Sequence, residues 1–279
     1  MTTSVGEQES EVGFRPPGAR VEEASWRVVA EQEARDLWTS GRGPMLLFGF
    51  SVLMSVVTYL AATNEALNFL EQREAVNLAV QIAVAVGVLV TLIVSADAIS
   101  GERERGTLEN LLLTPVSRRA IAVGKMVAAQ SLWLAMFLVS VPYVWVLGRG
   151  VSIVDQALLL GLLVGSLLAF GLASLGLLIS SISNSNRISL SASLLLLLAL
   201  FAPAQLPALP QGWFGTVLGR LNPVAAAMHY LNAVLVTGHS WTADLAWLVS
   251  PALLAVVVGG VLFGAASRVV RLHGGVSAV

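Results

Sequence analysis

Six stretches of the chain are apolar almost without interruption: residues 45–62, 76–96, 120–147, 157–182, 188–205 and 244–267. Crossing about 30 Å of hydrocarbon takes roughly 20 helical residues, so each stretch predicts a membrane-spanning helix. Barrel strands would alternate apolar and polar positions over only about 10 residues, which these runs do not do. The fold class expected is therefore all-α and polytopic, with six transmembrane helices occupying residues 44–279.

Ahead of the first span the pattern changes to a helical period. Trp26, Val29, Ala30, Ala34, Leu37 and Trp38 fall at i, i+3, i+4, i+8, i+11 and i+12, while Arg27, Glu31 and Arg35 run at i+4 spacing on another face. Residues 22–43 thus predict an amphipathic interfacial helix lying along the bilayer. Glu33 sits at i+7, on the apolar stripe, where an ionised carboxylate needs a partner or water. An acid at the stripe's edge reaching water is one way to meet that need. Residues 1–21, rich in Gly, Pro and Glu and without periodicity, predict a disordered tail.

Composition agrees with a membrane setting. Of 279 residues, 56% are hydrophobic and 12% charged, about half the charge of a soluble globular chain, and the mean hydropathy is +0.79. The net charge of −1 says less than the placement of the charges. With the N-terminus inside, the inner segments hold Arg15, Arg20, Arg27, Arg35, Arg42, Arg103, Arg105, Arg118, Arg119, Lys125, Arg187, Arg268 and Arg271, and the outer ones only Arg73, Arg149 and Arg220. This bias predicts that both termini are cytoplasmic. Cysteine is absent, so no disulfide, thiol nucleophile or cysteine metal site enters the reading. A cleaved signal peptide is not expected either, because the first 43 residues are polar.

The most polar internal stretch, GERERGTLENLLLTPVSRR at 101–119, lies between the second and third spans, on the predicted cytoplasmic side. Thr107 is placed to cap a helix with Glu109 in its first turn. Leu108, Leu111 and Leu112 share a face, and Pro115 stops continuation. A helix of about two turns within residues 103–116 follows; being too short to stand alone, it must dock on something.

This arrangement resembles the type-two ATP-binding-cassette permeases. The residues that carry the likeness are Glu102, Arg103, Glu104, Arg105, Gly106, Thr107, Leu108, Glu109, Leu111, Leu112, Pro115, Arg118, Gly124 and Lys125, with the loop SSISNSNR before the fifth span and Leu221-Asn222-Pro223 before the sixth. The resemblance implies the membrane half of an exporter in a bacterial inner membrane, with the short helix seated in a separate ATPase subunit. Residues 102–109, Leu111, Leu112 and Pro115 would make that contact, and Glu33 would brace the interfacial helix against the cytoplasmic loops with Lys125, Arg118 or Arg119 as its partner. Two ATPase copies, and a second copy of this chain or a related permease, would complete the assembly. ATP and Mg would belong to the ATPase, since Gly124-Lys125 here has no glycine-rich loop before it; no cofactor and no nucleic-acid partner is expected for this chain.

The remaining residues sharpen the reading by exclusion. Asp97, Asp155, Asp244 and Arg268 fall near span ends, unlike the deep carboxylates of ion-coupled carriers. His229, His239 and His273 lack metal-ligand spacing or a partnered nucleophile, so loop histidines are the expectation. Gly161 with Gly165, and Gly260 with Gly264, offer close helix approach, and Gly171, Ser174 and Gly176 loosen the fourth span. The segment 206–243 is long and apolar, with Pro207, Pro210 and Gly212, and predicts re-entrant or interfacial helices at the outer end. Spans of Leu, Val, Ala, Ser and Gly, with Trp133, Phe137, Tyr143 and Trp145 in the third, suit lipophilic or amphiphilic cargo. The alternative is an ATPase-independent carrier or a scaffold.

Overall fold

The computed structural model describes residues 18–63, 72–107, 116–205 and 213–264, with side chains described from residue 26 onward except at 202–205, 213 and 214. Among them the structure is helical and contains no strand. In chain order the helices are α1 (Gly18–Thr39), α2 (Arg42–Thr63), α3 (Gln72–Glu104), α4 (Arg118–Leu147), α5 (Val154–Ile182), α6 (Asn186–Gln205), α7 (Trp213–Leu221), α8 (Pro223–Leu235) and, after a 3₁₀ turn at Leu245–Leu248, α9 (Val249–Gly264).

Five of these segments are long and apolar enough to cross a membrane: α2, α3, α4, α5, and the 3₁₀ turn with α9. The stretch expected as a fifth span, 188–205, lies within α6, whose apolar part, Asn186–Phe201, is shorter than a full crossing. Helix α1 begins at Gly18 and ends at Thr39, ahead of the 22–43 expected from periodicity.

Packing centres on α3 and α5, which share the most extensive interface, with α4 against both. Glycine makes this approach close. A Cβ on Gly165 would fall 2.4 Å from the Trp133 ring and one on Gly161 2.7 Å from Val80. Trp133 is fully buried and its indole N–H donates to Ser166 Oγ at 2.9 Å, which meets the usual requirement for a buried indole. Gly260 and Gly264, expected as a second packing step, instead face open space, and it is Gly259 that receives the Phe170 ring. The face they were expected to pack is one residue away, a rotation of about 100° that a small-xxx-small pattern does not resolve.

The outer segment is built by its Leu221-Asn222-Pro223 motif. Asn222 Oδ1 accepts from the amides of Val224 and Ala225 at 3.0 and 3.1 Å, and Pro223 takes the first helical position of α8, where its missing N–H costs nothing. The same side chain donates to Leu200 O at 2.7 Å, tying α8 to α6. Val224, Ala227, Tyr230 and Leu231 then enter the main core. Residues 206–212 of the expected re-entrant segment lie outside the described residues.

Candidate functional site

The charged residues converge at one end of the bundle, where α3 ends, α4 begins and α1 crosses them. The sequence places residues 97–104 beyond the second span, with 103 and 104 opening the short helix. In the structure they are the last two turns of α3, whose alternation of acid and base reads as polar surface but keeps helical spacing. Arg105 N closes back to Gly101 O at 3.1 Å and Gly106 N to Arg103 O at 3.2 Å. Gly106 sits at φ +71°, the left-handed conformation in which glycine commonly ends a helix. Residues 103 and 104, which open the range expected for the short helix, therefore belong to α3. Thr107, beyond the turn, is again helical, and its hydroxyl donates to Glu102 O at 3.3 Å. Leu108, Glu109, Leu111, Leu112 and Pro115 lie outside the described residues.

Helix α4 opens beyond them, with Ser117 Oγ accepting from Ala120 N at 3.2 Å. Gly124, in its second turn, is the crossing point with α1: a Cβ there would fall 2.5 Å from Val29 and 3.1 Å from Ala30 N. Val29 and Glu33 are one turn apart and share a face. Seating Val29 on Gly124 therefore carries Glu33 to Lys125. Lys125 Nζ lies 2.8 Å from Glu33 Oε1 and 2.5 Å from Glu102 Oε1. The Lys125 side chain is 1% exposed, and those of Glu33 and Glu102 21% and 20%. An ammonium so buried costs several kcal/mol unless paired. Here one cation joins three helices: α1 through Glu33, α3 through Glu102, and α4 through its own backbone.

The other charges of this stretch face the loop between α5 and α6. Arg103 donates to the carbonyls of Ser183 and Ser181, the latter at 3.1 Å. Glu104 Oε1 accepts from Asn186 N at 2.8 Å. Asp97 Oδ1 accepts from Asn186 Nδ2 at 2.6 Å, and its other oxygen lies 3.4 Å from Arg42 and 3.9 Å from Arg105. Deeper in, Ser180 Oγ meets the amides of Ile99 and Ser100 at 3.0 and 2.8 Å, while Gly176 lets α5 approach the α3 backbone, a Cβ there meeting Leu92 O at 2.8 Å.

The structure thus brings Glu33, Glu102 and Lys125 together and turns Arg103, Glu104 and Arg105 toward neighbours within the chain. Sequence reasoning assigned Glu102 to the ATPase contact alone and missed its bond to Lys125. It also missed Asp97, Ser180 and Asn186 as partners; the signals were an acid near a span's end for Asp97 and the polar run SSISNSNR for the other two. Elsewhere, His239 Nδ1 lies 2.7 Å from Asp244 and the His229 ring stacks on Trp247 at 3.8 Å between centroids. Among the described residues no cluster of His, Asp and Glu is placed to hold a metal.

The family model described as ABC-2 family transporter protein matches residues 27–268. That span takes in α1 from residue 27 onward, every described apolar helix and the charged end of the bundle. No curated protein matches the chain. The chain belongs to the ABC-2 family of transporter proteins, as a multi-pass permease component of an ABC transporter.

Proposed function

We propose that this chain is the membrane subunit of an ATP-driven exporter and that the charged end of its bundle receives the push of a separate ATPase subunit. The observation that carries this reading is the bridge at Lys125. Force applied to residues 102–116 enters α3 at Glu102 and, through one buried ammonium, is shared with α4 and α1. A polar network on the other side of α3, through Arg103 and Glu104, extends the path to α5 and α6. Such a node moves as a unit, because separating its members would strand charge away from water.

In this reading residues 102–109, Leu111, Leu112 and Pro115 meet the ATPase, with six crossings counting α6, both termini and the charged end in the cytoplasm of a bacterial cell, and α1 along the inner leaflet. ATP and Mg are held by the ATPase, whose closure supplies the motion. Two ATPase copies act on a pair of permeases, either two copies of this chain or one with a related subunit. The apolar spans favour a lipophilic or amphiphilic cargo leaving the cytoplasm or inner leaflet. The test is transport into inside-out vesicles containing the ATPase. Glu33→Lys and Lys125→Glu should each abolish ATP-dependent uptake, and the double exchange should restore part of it. Wild-type uptake in both single variants would overturn the reading, and uptake without the ATPase would assign an energy-independent carrier instead.

A further inference from the structure

A cleft of about 700 Å³ opens between α1, the end of α3 and the start of α4, directly over the Lys125 bridge. That is the size range of small-molecule sites. Its lining has two halves. Val28, Val29, Leu37, Val94 and Ala98 make an apolar wall; the carboxylates Glu33, Asp36, Asp97 and Glu102 face the cations Arg42, Arg105 and Lys125. The acids exceed the bases by one. Glu102 spends Oε1 on Lys125, and its Oε2 is buried with no hydrogen-bond partner among the described residues. A carboxylate oxygen without a donor is costly, and the Glu102 side chain, which lines the cleft and is 20% exposed, can present it to an N–H donor there by a turn about its soft last torsion. Arg42 and Arg105, only loosely held by Asp97 at 3.4 and 3.9 Å, have donors to spare for an anion beside it.

A ligand that satisfies the whole lining therefore carries a primary ammonium, an anionic group a few bonds away, and an apolar tail. From the geometry we infer that the cleft holds one phospholipid with an ethanolamine-type head group, its ammonium on Glu102, its phosphate toward Arg42 and Arg105, and its chains along Val94, Ala98 and Leu37. The position suits a lipid. Trp26 and Trp38 bracket the cleft-forming part of α1, as aromatic residues do at bilayer interfaces, and α2 begins at the cleft's edge with Met45 and Phe48 exposed. This assignment rests on α1 lying at the membrane surface as proposed above. It does not require that an ATPase bind here, so the two readings fail separately.

The test is native mass spectrometry of the full chain, purified alone, with phosphatidylethanolamine, phosphatidylcholine or phosphatidylglycerol added to the detergent. One ethanolamine lipid should be retained with about tenfold preference over the choline lipid, which has no N–H to offer, the equivalent of one charge-assisted hydrogen bond. Glu102→Gln should erase that preference, Arg42→Gln should weaken retention of both zwitterionic lipids, and Ala98→Phe should exclude lipid by filling the wall. Glu31→Gln, an exposed acid outside the cleft, should change nothing. Should Glu102→Gln fail to fold, Arg42→Gln and Ala98→Phe decide. Equal retention of all three lipids, or a preference that the cleft variants leave intact, overturns the site. Equal binding of acyl-free phosphoethanolamine overturns the lipid assignment.

Discussion

Lys125 is the residue on which the charged end depends. Its side chain is 1% exposed and shared by two carboxylates on different helices, so truncating it leaves Glu33 and Glu102 facing each other without a counter-charge. Lys125→Met should destabilise the protein by about 3 kcal/mol, in the range for breaking a buried ion pair. The triple variant with Glu33→Gln and Glu102→Gln should recover most of that loss, which thermal unfolding in one detergent would measure. The adjacent Gly124 carries a different load. Any Cβ there meets Val29 and the α1 backbone, and backbone cannot yield as a flexible side chain does. Gly124→Leu should lift α1 from α4, read as a longer spin-label distance between α1 and α4 and as loss of coupled transport. In the core, Gly165→Ala should cost about 1–3 kcal/mol, since the new methyl enters the Trp133 ring and overpacking of this kind costs that much.

At the scale of elements, what the sequence declared depended on whether periodicity or polarity had to be trusted. Five of the six expected spans and the helix α1 were legible because apolar runs and a 3.6-residue stripe encode burial directly. Glu33 stood out for the same reason, being an acid on a buried stripe, and its contact with Lys125 follows once Val29 seats on Gly124. The end of α3 was not legible, because the charged run read as a break ahead of a separate short helix from about residue 103, although α3 continues to Glu104. Nor was Glu102's second contact, since a tertiary meeting of three helices leaves no local pattern. The outer end offers a pH test. The His229 imidazole is exposed on one side, and partial desolvation where it lies on Trp247 pushes it below its ordinary value. A histidine held neutral in the fold contributes stability above its unfolded value of about 6.5 that is lost as pH falls through it. Thermal stability should therefore drop between pH 7 and pH 5, and His229→Phe, which keeps the stack without the titration, should flatten part of that slope. An unchanged slope would exclude His229 as its source.

The whole molecule pairs a dense centre with open flanks. Helices α3 and α5 are half buried, whereas α2 buries only Gly43, Phe50 and Met54 and α9 only Pro251, Ala255, Gly259 and Leu262. Their exposed faces, with Phe48, Val52 and Tyr59 on one and Leu253, Val256 and Val257 on the other, suit lipid tails or a second permease. Among the described residues the buried ammonium and its two carboxylates sit at one pole, and this asymmetry suits a subunit driven from one side. The most direct test places a photo-crosslinking residue at exposed Thr107, and a second at Arg149 on the opposite pole, in cells producing the whole transporter. The account predicts that Thr107 captures a subunit bearing a P-loop and that Arg149 does not. Capture of that subunit from Arg149, or from neither position, would contradict it.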